Sequence, residues 1–411
     1  MKSYLFFDNA ATTRCCEAAA EHLKTFALQD FGNPSSSHIF GQTASRAIKK
    51  ARNYFAQLFN TRPEQIIFTG SGSEADNLAV YGVAMDALAK RTAGIKAGKL
   101  DSSSPFPRVI CSATEHPAVR KTVQSLQALG FDVQLAPVDE QGQLLQKNYL
   151  ELLTSETVLV SIHRVNNIVG TILPVEELAQ IAKQQVPGVI FHTDAVQAFG
   201  RVDVPTSPSA VDLVSVSAHK IHGPKGVGAL IILNPSLLKE GFRPLIWGGD
   251  QEGGFRSGTQ SAGLISGFHA AAEHTFSKRE AYTQHMHSLK TRFRKGLHAR
   301  KLNEKTQWNS PEHPGHCVPH IISLSVPHYP SSMVAQLLEE RGCLVSTGSA
   351  CSSAKAEPDP VLKAMGVAPA AYQSAIRISF SSCNELKDVE TLLNALDESI
   401  AFMDRLLSGK A

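Results

Sequence analysis

A chain of 411 residues exceeds the usual size of a single hydrophobic core, so two domains are expected. Its 43% hydrophobic and 19% charged residues are those of an ordinary globular enzyme, and Lys+Arg 40 against Asp+Glu 37 leaves +3, which argues against direct nucleic-acid binding and against an anionic membrane surface. No apolar run reaches bilayer length, and the N-terminus meets Asp8 too early for a secretory signal, so a cytoplasmic setting is expected; the 7 scattered cysteines include no Cys-x-x-Cys pair and indicate neither a disulfide framework nor a zinc knuckle.

From about residue 60 to 235, short apolar runs alternate with segments of helical period. Residues 66–69 read as a strand and 74–90 as a helix. Residues 92–107, rich in Gly, Ser, Pro and Lys, read as a solvated surface loop. A strand at 109–111 precedes a helix that Pro117 opens, with Val119, Val123 and Leu126 at helical spacing. Strands at 158–162, 189–192 and 211–216 follow, the first two separated by a helix that begins at Pro174 and stops at Pro187-Gly188. Such alternation predicts an α/β fold with a mostly parallel sheet covered by helices on both faces, and ligand sites beyond the carboxyl ends of its strands.

After about Thr259 the pattern changes. A long charged helical segment (262–300), a strand at 321–326, a helix at 333–341 and a strand at 376–380 predict a smaller α+β domain. The expected division is a large domain of residues 15–259 and a small one of 1–14 and 260–411.

Two residues carry most of the chemical meaning. Asp194 follows one apolar strand, in His192-Thr193-Asp194-Ala195-Val196-Gln197, and Lys220 follows the next, in Ser217-Ala218-His219-Lys220. A pyridoxal phosphate enzyme needs this pair: the lysine forms an imine with the cofactor, and the acid keeps its pyridine nitrogen protonated. Thr69-Gly70-Ser71-Gly72-Ser73-Glu74 lies between a strand and a helix, where backbone N–H groups and the helix dipole favour a phosphate; Ser71 and Glu74 also have capping-box spacing. Gln197 and Asn166-Asn167 offer neutral donors at the same rim, although adjacent asparagines are often simple turn residues. His116 sits at a strand-to-helix junction, where a structural cap is the ordinary role. Cys351 stands alone among small polar residues, in Gly348-Ser349-Ala350-Cys351-Ser352-Ser353, with Lys355 nearby; a buried structural cysteine prefers apolar neighbours, so a reactive thiol is expected. His313, His316, Cys317 and His320 have ligand types that suit zinc, yet they lead straight into an apolar strand, and no metal is expected there.

These segments, with Phe7-Asp8-Asn9-Ala10-Ala11-Thr12-Thr13, Phe31-Gly32-Asn33-Pro34, Glu74-Ala75-Asp76-Asn77, Glu115-His116-Pro117 and Arg256-Ser257-Gly258-Thr259, resemble the NifS- and IscS-like cysteine desulfurases of the class V aminotransferase family, within the fold-type I pyridoxal phosphate enzymes. The similarity covers nearly the whole chain. It implies L-cysteine as substrate, pyridoxal 5′-phosphate as cofactor, a homodimer, and a persulfide-acceptor protein such as an iron–sulfur scaffold or a sulfur carrier. By position, Lys220 would hold the cofactor and act as base, Asp194 would pair with its ring nitrogen, and His116 would stack on its face. Asn167 and Gln197 would flank the phenolic oxygen. Gly72, Ser73, Ser217 and His219 would surround the phosphate, with Thr259 supplied by the other subunit. Arg377 and Asn33 would take the substrate carboxylate, and Cys351 would accept the sulfur. Ile168 stands where the family usually has glutamate, Arg164 where histidine is common, and Asp250 replaces a glycine. The alternatives are a related lyase acting on selenocysteine, an aminotransferase, or a non-catalytic protein that kept the fold.

Overall fold

The apolar runs of the first 235 residues become one central sheet in the computed structural model, which describes residues 4–347 and 359–408. Among the described residues the sheet has seven strands: β2 (Ile66–Thr69), β3 (Arg108–Ser112), β4 (Asp132–Ala136), β5 (Thr157–Ser161), β6 (Ile190–Asp194), β7 (Leu213–Ser217) and β8 (Gly228–Ile232), in the spatial order β2-β8-β7-β6-β5-β3-β4. β8 is antiparallel to β2 and to β7; the remaining neighbours are parallel. Except for the edge strand β4, whose Leu135 is exposed, the strands are buried on both faces, as a sheet between two helical layers must be. In β2, Ile66 and Phe68 enter the core that holds Phe55, Phe59, Phe199 and Phe268, while Ile67 faces the opposite core of Leu78, Val83, Val109 and Leu213.

The helices that cover the sheet include α1 (Glu17–Leu28), α2 (Ile39–Leu58), α3 (Gly72–Lys96), α4 (Pro117–Ser125), α5 (Gln146–Leu152), α6 (Val175–Gln185) and α7 (Ala262–Ser277). Pro117 occupies the first position of α4 as expected, and Val119, Val123 and Leu126 are buried. The surface loop expected at 92–107 starts later, because α3 continues through Lys96. The chain then folds back so that Leu100 N–H reaches Gly94 O (3.2 Å), and Arg91 fastens the loop by donating to Ser104 O (2.5 Å) while lying over the Phe106 ring at 4.2 Å.

The charged helical segment expected at 262–300 is two helices, α7 and α8 (Arg279–Ala299), broken at Lys278. Ala262, Ile265, Phe268 and Ala272 of α7 pack into the large core, whereas Met286, Leu289 and Phe293 of α8 join a second core. That second core gathers Ile322 and Leu324 of β10 (Ile321–Ser325), Val334 and Leu338 of α9 (Ser331–Glu340), Ile376 and Ile378 of β12 (Ala375–Ser379), and Leu392 and Leu396 of the last helix (Leu386–Leu407). β10 pairs antiparallel with β12 and with β9 (Gln307–Trp308). The N-terminal residues complete this unit: β1 (Leu5–Phe6) runs parallel to β11 (Cys343–Leu344), Phe7 enters the second core, and Asp8 bridges Ser379.

Candidate active site

Asp194 ends β6 and Lys220 ends the short 3-10 turn after β7, two adjacent parallel strands. A cavity of about 290 Å³ opens at this carboxyl edge, and both side chains line it. Asp194 is buried, and its Oδ1 accepts the Val196 N–H at 2.8 Å. Lys220 Nζ donates to Ala10 O (2.5 Å) and Ala11 O (2.7 Å), carbonyls of the N-terminal segment that crosses the site. Gln197 Nε2 also bonds Ala10 O (2.8 Å), so the N-terminal segment, the lysine and the amide form one wall.

The opposite rim is the N-terminus of α3. Ser71 caps it by accepting the Glu74 N–H at 3.0 Å, and the Glu74 carboxylate takes the Gly70 N–H (2.9 Å) and Arg256 Nε (2.8 Å). The capping role expected of Ser71 is therefore present beside an open anion position, where Gly72, Ser73, Ser217 and His219 also line the cavity. A Cβ built on Gly72 would lie 2.7 Å from Val196 Cγ2 and 3.1 Å from Ser217 Cβ, so glycine is needed for this close approach. Gly72→Ala is expected to weaken binding of the pyridoxal phosphate that the family resemblance implies by at least about tenfold through displacement of the backbone donors; an absorbance titration of apoprotein that gave the parental affinity would contradict this.

His116 caps α4, its Nδ1 accepting the Ala118 N–H at 3.1 Å, and its ring faces the same cavity, so the ordinary cap and the site position coincide. Burial holds it below the usual imidazole range despite the charge of Asp194. His219, bonded to Thr12 Oγ1 at 3.1 Å, is pushed down to about 4 by burial and by Lys220. The two asparagines divide their work. Asn166 is the turn residue, accepting the Ile168 and Val169 N–H groups (2.9 and 3.0 Å), while Asn167 lines the cavity. Arg377, on β12 of the second unit, reaches the same space; its fork donates to Asn167 O (3.0 Å) and Asp8 Oδ1 (2.8 Å), and its buried Nε has no partner among the described residues.

Two expected contributors lie elsewhere in this single chain. Asn33 is exposed, with its Oδ1 closing a turn on the Ser35 N–H (3.0 Å), and Thr259 is exposed after the turn at 251–254; neither lines the cavity. Cys351 lies outside the described residues. Its flanks are anchored: Ser346 exchanges backbone hydrogen bonds with Arg377 (3.1 and 2.8 Å), and Asp359 caps the helix Pro360–Ala364.

The departures from the family pattern have local accounts. Ile168 is buried with Val138, Val361, Leu362 and Met365, an apolar cluster beside the Asp359 flank. Asp250 takes a left-handed backbone (φ 59), a conformation glycine adopts freely and Asp tolerates better than most residues. Arg164 donates to Asp203 O at 3.0 Å, outside the cavity, while its neighbour His163 lines it and bonds Glu115 Oε1 at 3.0 Å. His163, Glu115 and Asp76 are not singled out by the sequence reading. Asp76 lies one helical turn beyond Gly72, a spacing that puts it on the same face. His313, His316, Cys317 and His320 do not converge: among the described residues the group with metal-like spacing is Asp76, His116 and Asp194, whose ligand atoms lie within 4.8 Å of one another.

The cavity fits a phosphorylated pyridine ring. It combines a buried Ser217 Oγ and an Arg377 Nε that have no partner among the described residues, a glycine cradle without room for a Cβ, and an acid and a lysine at the strand ends.

Behind it, His192 is fully buried between Ser161 Oγ (2.8 Å) and Ser215 Oγ (2.9 Å), and burial pushes it down to about 3. Its unfolded value is near 6.5, so the unfolded chain binds the extra proton first. Stability from this group is complete above about pH 6.5 and declines by a few kcal/mol toward pH 3. Thermal melts of the apoprotein should show this acid limb, and His192→Gln should flatten it; an unchanged limb in the variant would refute the assignment.

Fold and cavity together define an α/β enzyme that presents an acid and a lysine to one ligand at the carboxyl edge of its sheet. The chain belongs to the aminotransferase class-V family, which it matches over residues 5–392. It is 34% identical over 400 residues to cysteine desulfurase IscS of Clostridium botulinum, spanning 97% of this chain and 95% of that one. A solved NifS-like protein superposes with a TM-score of 0.85 at 33% identity, covering 97% of this chain and 100% of the other. SspA, solved in complex with cysteine, superposes with a TM-score of 0.74 at 30% identity, over 92% and 98% of the two chains.

Proposed function

We propose that the protein is a cysteine desulfurase that converts L-cysteine to L-alanine and carries the sulfur as a persulfide on Cys351. The observation that supports this most is the convergence of Lys220, Asp194, His116 and Arg377 on one cavity, built by two units of the chain. Pyridoxal 5′-phosphate would be held by Lys220, Asp194, Gln197, Asn167, His116, Gly72, Ser73, Ser217 and His219. Once bound, it supplies an electron sink for charge developing at the substrate α-carbon.

The residues of the chain do the rest. Arg377 binds and orients the substrate carboxylate through its planar fork, with Asn33 as an auxiliary from the exposed segment. Lys220 takes the α-proton as general base and returns a proton to the product. His116, kept neutral by burial, would pack on the ring and exclude water. The Cys351 thiolate attacks the substrate sulfur; a sulfur–sulfur bond forms, the carbon–sulfur bond breaks, and the three-carbon fragment leaves as alanine after protonation. The persulfide then passes to a thiol of an acceptor such as an iron–sulfur scaffold or a sulfur carrier.

The working unit is a homodimer in which Thr259 completes the partner's phosphate site. Its exposure here supports this, as do Leu245, Ile246 and the 74% exposed Trp247 close by in sequence. A one-chain mass by light scattering, with full activity, would exclude it. No helix among the described residues is long and apolar enough to cross a membrane.

The central test supplies L-cysteine to holoenzyme with a reducing thiol and measures alanine and sulfide in equal amounts. Pyruvate and ammonia in place of alanine would refute the proposal in favour of another lyase. Arg377→Lys is expected to raise KM for cysteine by at least about tenfold with a smaller change in kcat, because a lysine offers no bidentate fork; an unchanged KM would remove Arg377 from the substrate.

A further inference from the structure

Beneath Asp194 sits a second acid that the proposed chemistry does not use. Asp76, in the second turn of α3, is 1% exposed and lines the cavity. Its carboxylate lies within 4.8 Å of Asp194 and of a ring nitrogen of His116. Among the described residues its Oδ1 accepts no hydrogen bond, Ser215 is a side-chain hydrogen-bond partner of the carboxylate, and its near imidazole, His192 Nε2 at 3.7 Å, is neutral and already bonded to Ser215 Oγ. Asp76 thus has neither a cation nor a saturated set of donors. Asp194, by contrast, has its Oδ1 on a backbone N–H. Two carboxylates this close and this buried do not both ionise, and the more deeply buried one, Asp76 at 1% exposure against 7% for Asp194, keeps the proton.

We propose that Asp76 is a positioning residue: a neutral carboxylic acid whose proton is directed toward Asp194, so that the pair carries one negative charge and Asp194 alone faces the ring nitrogen. Burial and the charges of Asp194 and Glu115 push Asp76 well above the usual carboxylate range, in keeping with this arrangement. The groups that face it are Asp194, Glu115, His116, His192 and Ser215. The consequence is chemical. A donor on Asp194 makes it a weaker base toward the ring nitrogen, which tunes how firmly that nitrogen holds its proton. This step rests on the cofactor assignment above, but the state of Asp76 does not.

The test is therefore made first on apoprotein. With carboxyl-13C aspartate incorporated, infrared spectra at pH 7 should contain a protonated-carboxyl band that Asp76→Asn removes; the label separates aspartate from Glu115. In the unsubstituted protein that band should persist on raising the pH above about 6, beyond the ordinary aspartate range. Its absence at pH 7, or its persistence in Asp76→Asn, overturns the proposal. In holoenzyme, Asp76→Asn keeps a neutral donor in place. The pKa read from the cofactor's visible absorbance should then move by less than about 0.3 unit, whereas loss of a true negative charge would lower it by about one unit or more. A shift of the larger size overturns the proposal as well. Failure to take up cofactor at all would sink the functional reading and leave the infrared result to stand on its own.

Discussion

Cys351→Ser is expected to take up pyridoxal phosphate like the parent and to release no sulfur from cysteine. The flanks of the segment are fixed without the thiol: Ser346 by its ladder to Arg377, Asp359 by its cap on the following helix, and Val361 and Leu362 by burial beside Ile168. The wall proposed to hold the cofactor is made of Asp194, Lys220 and the start of α3, which line one cavity. Serine keeps the size of the side chain but its hydroxyl is hardly ionised near neutral pH, and oxygen is a poor nucleophile toward divalent sulfur. The rate should fall by at least about 1,000-fold, the scale of losing a covalent nucleophile. Mass spectrometry after exposure to cysteine should find one added sulfur atom on the parent and none on the variant. Release of sulfide by the variant at the parental rate would make Cys351 incidental and favour a lyase without an enzyme persulfide.

The site was legible in the sequence to the extent that its residues sit at strand ends. β6 and β7 are apolar runs closed by Asp194 and by Ser217-Ala218-His219-Lys220, so the position of acid and lysine follows from the rule for parallel sheets. β8 is harder to read, because Gly228-Ala229-Leu230-Ile231-Ile232 emerges from a glycine-rich turn and periodicity carries no strand direction. Its Gly228 is required by contact: a Cβ there would lie 2.6 Å from the Ser71 carbonyl carbon. The break at Lys278 is invisible for a different reason. Neither proline nor glycine marks the junction, and the helix ends where the chain leaves one core for the other, a tertiary event. Asp76 escapes notice because an acid near a helix N-terminus has a sufficient local reason to be there. Its burial against Asp194 depends on how α3 lies over the sheet, which one chain of letters does not encode. The wall formed by Ala10 and Ala11 is similar: carbonyl groups have no sequence signature.

Lys220→Ala should give the second large effect, and it separates holding the cofactor from using it. In the structure the ammonium is satisfied by the carbonyls of Ala10 and Ala11, so the N-terminal segment presents a ready polar seat for Nζ whenever it is not bonded to the cofactor. Alanine removes both the covalent link and the proton carrier, but leaves the α3 N-terminus, Ser217, Asp194 and His116 in place. Pyridoxal phosphate should therefore still bind, now removable by dialysis and without the absorbance of the lysine-linked form. Alanine formation should drop by at least about 1,000-fold, since positioned proton transfer and covalent capture are lost together. Lys220→Arg is the discriminating companion. It retains a cation beside the two carbonyls but remains protonated near neutral pH, so it can neither link to the cofactor nor accept the α-proton. If the arginine variant matched the parent in turnover, Lys220 would be acting only as a fixed charge, and the α-proton would have to leave through another group in the cavity.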